Sequence, residues 1–215
     1  MNTLDSRSLQ IGDCFAVTFE SEGELRYSLS PGSPPLPLRV EGGKPEGYLI
    51  KVNKRSKAGE SNQHTVHVER RDGDIVPDVD SLTIEAGDIV LWYTTDPKVL
   101  SFAIAGTGGG GEFGCHALKA GAVYTHAFGA PGTYEWHDPD EKGVEGRIEV
   151  SAPDVTTPEK LKAWYSSLEK PATIEIRRGK VSAERLQITV GQTVFWKVWD
   201  GSGITIRDKR LTRGT

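Results

Sequence analysis

The sequence predicts an all-β protein built from two β-sandwiches, and three observations lead to this prediction. Glycine and proline are frequent, with 25 and 12 residues among 215, and they bound short runs rich in Val, Ile, Thr and Tyr. Apolar and polar residues alternate with a period of two in TVHVE, TIEI and GRIEV, as half-buried strands require. Several of these segments also occur twice along the chain.

The first repeated segment contains a tryptophan strand. LTIEAGDIVLW at residues 82–92 matches LQITVGQTVFW at residues 186–196, with Leu, Ile, Gly, Val and Trp identical. Each copy follows a related strand, TVHVERR from Thr65 and TIEIRR from Thr173. These strands form the first half of a repeated unit.

A second set of segments forms the other half of the unit. LQIGDCFAVTF at residues 9–19 matches LKAGAVYTHAF at residues 118–128. Beyond it, GELRYSLSP from Gly23 pairs with GTYEWHDP from Gly132, and EGYLIKV pairs with EGRIEV further along. Fixed-period self-similarity of this kind indicates duplicated structural units.

The order of the halves predicts the domain boundaries. Residues 63–151 hold one complete unit, whereas residues 1–52 match only its second half and residues 172–215 only its first half. A separate half would expose sheet edges and half a core, so the outer halves are expected to complete each other. The prediction is a circularly permuted domain, 1–52 plus 172–215, with the complete domain 63–151 inserted; exchange of halves between chains is the alternative.

Two linkers join these domains. Residues 53–62, NKRSKAGESN, form a polar linker, and residues 152–171 form a second linker that contains a helix. Thr157 is the expected N-cap and Pro158 the first helical residue. The apolar stripe of this helix, expected to brace the two domains, consists of Leu161, Trp164, Tyr165 and Leu168.

Composition and missing motifs exclude several classes of function. A net charge of −4 gives no basic surface for nucleic acid. The N-terminus lacks the features of a signal peptide, and no run of 18 apolar residues occurs, so a cytoplasmic protein without membrane insertion is expected. In that compartment Cys14 and Cys115 are expected to be free thiols. The run TGGGG at 107–111 is followed by Glu112 rather than by a Lys and a helix, so it is predicted to be a flexible connection rather than a phosphate-binding loop.

The segments resemble the cupredoxins, the plastocyanin-like family of copper proteins. The resemblance rests on LTIEAGDIVLW from Leu82, FGCHALKAG from Phe113, AFGAPGTYEWH from Ala127 and GVEGRIEV from Gly143, in that order. It covers the whole of 63–151 and, more weakly, both outer halves. It implies two Greek-key β-sandwiches, each with a metal site at one end.

The copper ligands of that family are not retained. Cupredoxins hold one copper through a His, a Cys, a second His and usually a Met, since thiolate, thioether and imidazole suit copper. The resemblance puts Leu100 at the first His (Ser101 with a one-residue shift), Asp138 at the Cys, Glu141 at the second His and Val144 at the Met. It therefore implies no type 1 copper and no cofactor.

One loop offers a weaker alternative for a metal. His137, Asp138, Asp140 and Glu141 lie close together in sequence, and carboxylates of this kind bind hard cations such as Ca²⁺ or Mg²⁺. An exposed acidic turn that binds no ion is the simpler interpretation, because Asp-Pro is common turn chemistry. No catalytic residue is expected, since no nucleophile, base and orienting group stand together.

These observations predict a copper-free, non-enzymatic structural or protein-binding module, a subunit or assembly factor that binds a protein partner or self-associates. Trp199 is the candidate exposed anchor, because Thr95 stands at the equivalent position of the other repeat. Packing of Trp199 against the partner domain is the alternative interpretation. The alternative is a metal-binding electron carrier or metal chaperone with nonstandard ligands. An enzyme with its carboxylates in the 137–141 loop would need a concave pocket around them.

Overall fold

The chain folds into an all-β, sandwich-like structure with one α-helix among the residues described. The computed structural model describes residues 3–32, 40–41, 44–45, 47–56, 59, 61–108, 111–201 and 203–212. None of the helices in this described part is long and apolar enough to cross a membrane. The elements are β1 Asp13–Phe19, β2 Gly23–Pro31, β3 Val40–Glu41, β4 Lys44–Pro45, β5 Tyr48–Asn53, β6 Gln63–Arg71, β7 Asp74–Pro77, β8 Ser81–Glu85, β9 Asp88–Tyr93, β10 Phe102–Gly108, β11 Gly111–Gly114, β12 Ala122–Ala127, β13 Gly132–His137, β14 Glu145–Ser151, α1 Pro158–Leu168, β15 Ala172–Arg177, β16 Lys180–Val181, β17 Arg185–Thr189, β18 Thr193–Val198 and β19 Arg207–Asp208.

One large sheet is shared by two sandwiches. Its eight strands run in the order β16-β15-β18-β12-β1-β9-β6-β7. A five-stranded sheet, β11-β10-β2-β5-β8, covers one half, where the rings of Tyr27 and Trp92 lie 5.4 Å apart. A four-stranded sheet, β17-β14-β13-β19, covers the other half, where Trp136 and Trp196 lie 5.8 Å apart. The core therefore lies between the shared sheet and the two smaller ones.

Strand pairing groups the halves differently from the predicted domains. In the first sandwich, β1, β2 and β5 pair with β9, β10 and β8. In the second, β12, β13 and β14 pair with β18, β19 and β17, in the same parallel or antiparallel directions. Residues 1–52 thus join the strands after them, and 172–215 join the strands before them, whereas the prediction placed 63–151 in one domain. The sequence repeat identifies which halves are equivalent, but it does not determine which half pairs with which. In the structure each half pairs with the half that is adjacent to it in sequence.

An approximate two-fold axis relates the two sandwiches. At the centre of the shared sheet β1 pairs antiparallel with β12, and Phe15 lies opposite Tyr124. The sequence repeat also aligns Phe15 with Tyr124, so the axis passes through this pair. The order of equivalent strands is consequently the same from either edge of the sheet. The arrangement is that of a symmetric dimer within one chain.

The two cores contain matching aromatic contacts. Phe15 stacks on Trp92 with ring centroids 5.7 Å apart, and Tyr124 stacks on Trp196 at 5.5 Å. The interplanar angles are 27° and 26°. All four side chains are completely buried. The duplication therefore preserves packing as well as strand order.

Short segments before β1 and β12 cross between the sandwiches. The amide of Ser6 donates to the carbonyl of Ile206 at 2.9 Å, in the second sandwich. The equivalent amide of Cys115 donates to the carbonyl of Ile104 at 3.2 Å, in the first sandwich. Leu4, at the start of the first of these arms, is 1% exposed. Each arm therefore precedes the strands of one sandwich and packs on the other.

The described residues on either side of the glycine run form a β-hairpin, whereas residues 109 and 110, at the centre of the predicted flexible connection, lie outside the described residues. β10 and β11 pair antiparallel, and Gly106 lies opposite Phe113. A Cβ on Gly106 would be 2.2 Å from the Phe113 ring, and one on Gly114 would be 2.7 Å from the His116 ring. These glycines allow the backbone to approach aromatic rings, and their purpose is packing rather than flexibility.

The predicted helix is confirmed, with Thr157 as its N-cap accepting a hydrogen bond from the Lys160 amide at 3.3 Å. The indole Nε1 of Trp164 donates to the carbonyl of Val190 at 2.9 Å, in the turn between β17 and β18. No residue of the helix is buried, and Tyr165 is 56% exposed. The helix lies on a turn of the second sandwich, and these contacts do not brace one sandwich against the other.

Asp88 is the first residue of β9, and its carboxylate links the end of β8 to residues 55–64. Its carboxylate is 2% exposed and accepts hydrogen bonds from the amides of Glu85 at 3.0 Å and Asn62 at 2.9 Å. The side chains of Arg55 and His64 contact it at 2.5 and 3.0 Å. Burial alone would raise the pKa of Asp88, but these hydrogen bonds outweigh burial and lower the pKa.

Replacing Asp88 by Ala is expected to lower the free energy of unfolding by about 2–3 kcal/mol, because buried donors lose their acceptor. A lowered folded pKa means that Asp88 stabilises the fold above its unfolded pKa of about 3.9, and that this contribution is lost as the pH falls through the folded value. Urea unfolding between pH 3 and 7 should therefore show a steeper acid loss in the wild type than in Asp88→Ala. Glu24→Ala, which removes an exposed carboxylate, is the control; equal pH dependence in all three proteins would contradict the assignment.

Candidate functional site

The turn after β13 carries three of the four positions at which the cupredoxin resemblance would place copper ligands, and its first carboxylate is structural. Asp138 is 5% exposed. One of its oxygens accepts from the amide of Asp140 at 2.9 Å, and the other accepts from the amide of Thr205 at 3.1 Å. The Asp138 amide donates to the carbonyl of Val144, which is completely buried. The acidic turn is exposed at Asp140 and Glu141, as expected, but Asp138 is buried and joins this turn to the segment before β19.

The four residues of the alternative cation site do not form a ligand set. Burial lowers the pKa of His137, and the positive charges of Lys209 and Arg207 lower it further. The same two positive charges would repel a metal ion at this imidazole. The Glu141 carboxylate instead lies against Gly179, where a Cβ would come within 2.9 Å of it. Across the described ranges, no three His, Cys, Asp or Glu residues are grouped so as to hold a metal ion.

Leu100 lies in a different sandwich from the other degenerate positions. It precedes β10, whose partner is β2, and its side chain is 82% exposed. Asp138, Glu141 and Val144 follow β13, whose partners are β14 and β19. On the second sandwich the residue near the first-ligand position is Ile204, which is 2% exposed. The predicted set of four was therefore drawn from two sites, one in each sandwich.

Both cysteines are free, as the sequence predicts. Burial raises the pKa of the Cys115 thiol to about 12, so this thiol stays protonated and unreactive at neutral pH. Burial also raises the pKa of the half-buried Cys14. Neither residue is an activated nucleophile.

A buried contact between a histidine and an aspartate lies where the two sandwiches meet. The Nδ1 of His126 is 2.6 Å from the carboxylate of Asp13, and both side chains are almost completely buried. The hydroxyl of Tyr124 lies 3.5 Å from the same nitrogen. Burial raises the pKa of Asp13, although the hydrogen bond with His126 opposes this. Asp13 and His126 lie opposite each other on β1 and β12, so their buried side chains occupy part of the contact between the two sandwiches.

Trp199 lies at one corner of the shared sheet and is 41% exposed. The guanidinium carbon of Arg177 is 4.3 Å from the centre of its ring, and the ammonium of Lys197 is 3.8 Å away. Cations at these distances are attracted by the indole π-system. Arg178 and Lys180 follow on the adjacent hairpin and are exposed. These five residues are called the Trp199 corner.

The repeat shows which parts of this corner are structural. The Arg178 amide donates to the carboxylate of Asp200, and in the first sandwich the Arg70 amide donates equivalently to Asp96 at 2.9 Å. The turn is thus the same in both sandwiches. By contrast, the residues equivalent to Arg177, Lys197 and Trp199 are Glu69, Tyr93 and Thr95. The cationic aromatic surface is therefore specific to the second sandwich.

The side of the shared sheet that faces away from the sandwich cores is apolar at its centre. Phe15, Trp92 and Tyr124 point into the cores, so their neighbours along each strand lie on the opposite side. The register places these neighbours in adjacent rows across β9, β1, β12 and β18. This outer face consists of Cys14, Ala16, Leu91, Tyr93, Val123, Thr125 and Phe195.

Sequence reasoning found Trp199 but missed the outer face. One signal was available: residues 89–93, IVLWY, are apolar at every position rather than at alternate positions. Such a run predicts a strand covered on both sides. The other strands of the face could not be placed beside it, because the pairing of the repeats was not predicted.

Comparison of the chain with protein-family models, with curated proteins and with solved structures finds no significant match.

Proposed function

We propose that this protein is a non-enzymatic protein-binding module made of two cupredoxin-like sandwiches without copper. The common strand directions in both sandwiches support a duplicated unit. In each unit the second half of the cupredoxin-like order precedes the first half along the chain. The copper positions are filled by Leu100, Asp138, Glu141 and Val144, and Asp138 and Val144 have structural contacts instead.

The Trp199 corner carries the proposal. Aromatic and arginine side chains dominate the binding energy of protein interfaces, and here a partly exposed indole is held beside two cations. Lys197 connects the corner to the outer face, because it lies opposite Val123 in the sheet. A partner can thus contact a polar anchor and an adjacent apolar surface at once, which is the usual composition of an interface core and rim.

The charge of the corner selects the partner. Arg177, Arg178, Lys180 and Lys197 supply four positive charges. Glu175 and Asp200 beside them, and Glu141 against Gly179, supply three negative charges, so the local balance is four minus three, or +1. The whole chain has a net charge of −4. The partner surface is therefore an acidic segment of another protein, which the corner attracts in spite of the overall negative charge.

Site-specific photo-crosslinking in cells that produce the protein tests this function. A benzoylphenylalanine at position 199 should crosslink one acidic polypeptide, and the matched substitution at position 95, the repeat equivalent, should not. With that partner purified, Arg177→Glu and Lys197→Glu should each weaken binding by about tenfold or more, since charge reversal at a contact repels an acidic surface. The loss should diminish as salt is raised.

Alkylation of Cys14 provides a second measurement on the same complex. The partner should slow the reaction of Cys14 if it covers the outer face, whereas Cys115 is buried and should stay unreactive with or without the partner. Identical crosslinks from positions 95 and 199, or affinity that is unchanged by both charge reversals, would contradict the proposal. A crosslink between two copies of this chain would assign the corner to self-association instead.

A further inference from the structure

A cleft lies between the two sandwiches, beside the end of β1 and the start of β12. Its volume is about 380 Å³, within the usual size of small-molecule sites. The first sandwich supplies the β1–β2 turn, the arm at 111–114 supplies a second wall, and residues 119–122 of the second sandwich supply a third. The apolar walls are formed by Phe15, Val17, Phe19, Leu25, Phe113 and Ala122.

The walls of the cleft are well ordered by packing. Phe19 and Phe113 meet edge to face with ring centroids 5.2 Å apart, and Phe113 lies over Gly106, where any side chain would collide with it. Phe19 is 6% exposed and Phe113 is 8% exposed. Their remaining exposure faces the cleft, so a ligand there would meet rings already fixed in position.

The approximate two-fold axis identifies the residues that stand at the equivalent place on the other side, where described side chains are larger. Val17, Leu25 and Ala122 are equivalent to His126, Tyr134 and Asp13 on the other side of the axis. There the Asp13–His126 pair is buried.

Tyr134 occupies the remaining space on that side. Its ring packs edge to face on Phe128 at 4.8 Å, and its hydroxyl donates to the carbonyl of Ala130 at 3.0 Å. At each of the three positions the first sandwich has the smaller side chain, which leaves space for the cleft.

The rim of the cleft is acidic. Glu20, Glu22 and Glu112 line it, together with Lys119, so the local balance is one minus three, or −2. The three glutamates are exposed. In the part of the chain that the structure describes, no hydrogen bond or salt bridge engages their carboxylates. These carboxylates are therefore available to a ligand.

We infer that this cleft binds a small organic cation with an apolar body, such as an arylalkyl ammonium ion. The apolar body replaces water against Phe19, Phe113 and Leu25. The ammonium group then lies at the rim among three carboxylates, where it also remains partly hydrated. A ligand of the same shape with a carboxylate would be repelled by the rim, and a neutral one would lose the charge attraction. This inference concerns a different surface from the Trp199 corner and does not depend on it.

The test uses three probes of one shape: 2-phenylethylammonium, 2-phenylethanol and 3-phenylpropionate. Binding to the full-length protein is measured by isothermal titration calorimetry, and the site is located by amide chemical-shift changes in residues 15–25 and 111–122. The ammonium probe should bind about tenfold more tightly than the alcohol, since each exposed ion pair adds little, and the carboxylate probe should bind most weakly. Raising the salt should remove the preference for the ammonium probe.

Two variants separate the walls from the rim. Leu25→Tyr introduces the side chain of the equivalent position, Tyr134, whose hydroxyl partner Ala130 corresponds to Ser21 in the cleft. It should fill the cleft and abolish binding of all three probes. The triple variant Glu20→Gln, Glu22→Gln, Glu112→Gln should keep binding of the alcohol and lose the preference for the cation. Glu24→Gln, an exposed neighbour outside the cleft, is the matched control and should behave as the wild type.

Circular dichroism and thermal melting establish that each variant is folded before its affinity is compared. The inference is overturned if the alcohol binds as tightly as the ammonium probe, if folded Leu25→Tyr still binds it, or if the shift changes lie elsewhere. It is also overturned if the triple glutamine variant retains the full preference for the cation. Should Leu25→Tyr be unfolded, the triple variant decides the question alone, because its substitutions are exposed and preserve side-chain size.

Discussion

Removing residues 172–215 is expected to unfold strands β12, β13 and β14 while the first sandwich stays folded. These three strands lose their partners β18, β19 and β17. They also lose Trp196, which packs on Tyr124 and Trp136. The first sandwich retains its own strand pairs and the Phe15–Trp92 contact.

Hydrogen–deuterium exchange of the truncated chain 1–171 measures this directly. Amides of β1, β2 and β5 should remain protected, and those of β12–β14 should exchange within the dead time. A second chain ending at residue 117, which keeps the arm that packs on the first sandwich, should show the same protected amides. Protection across 63–151 with loss of protection across 1–52 would instead support the domain boundaries predicted from the sequence.

Replacing Trp196 by Ala is expected to lower the free energy of unfolding of the second sandwich by about 3–5 kcal/mol, the usual cost of removing a fully buried tryptophan. The side chain is completely buried between Tyr124 and Trp136. Its indole nitrogen has no hydrogen-bond partner among the described residues, so the loss is one of packing. The melting temperature of the second sandwich should fall by roughly 4–8 °C per kcal/mol, the value for a unit of this size.

Trp92→Ala is the matched variant, because Trp92 has the equivalent position and the equivalent stacking partner in the first sandwich. Exchange-protected amides of β2 and β10 should respond to Trp92→Ala, and those of β13 and β19 to Trp196→Ala. A loss of less than about 1 kcal/mol in either variant would be incompatible with complete burial. Equal responses of both sandwiches to each variant would show that they unfold as one unit.

Local sequence patterns predicted the elements well, and they failed where long-range pairing decides. The alternation in TVHVE and TIEI predicted β6 and β15, and Thr157 with Pro158 predicted the start of the helix. The repeats correctly identified equivalent halves, but each half has two possible partners with the same pattern. Which partner is chosen depends on contacts distant in sequence, such as Phe15 opposite Trp92, and no single-sequence periodicity contains that information.

The candidate surfaces were predictable to different degrees. Trp199 could be identified, because a comparison of the repeats shows an aromatic residue on one side only. The cleft could not, because its walls come from the β1–β2 turn, the arm at 111–114 and residues 119–122. Those segments meet only through the antiparallel pairing of β1 with β12. Asp138 was misjudged since its hydrogen-bond donor, the Thr205 amide, lies 67 residues away in sequence.

The exchanged arms and the single continuous chain have a consequence for how this molecule could diversify. A dimer of identical subunits dissociates on dilution, and any substitution in it appears twice. Here the two halves are covalently joined, so their association does not depend on protein concentration, and each substitution appears once. The two sides can therefore differ: Val17 and Ala122 stand on one side and the Asp13–His126 pair on the other. In the same way, Trp199 stands at one corner and Thr95 at the equivalent corner. The covalent link thus allows two structurally equivalent surfaces to differ in sequence without weakening the assembly that holds them.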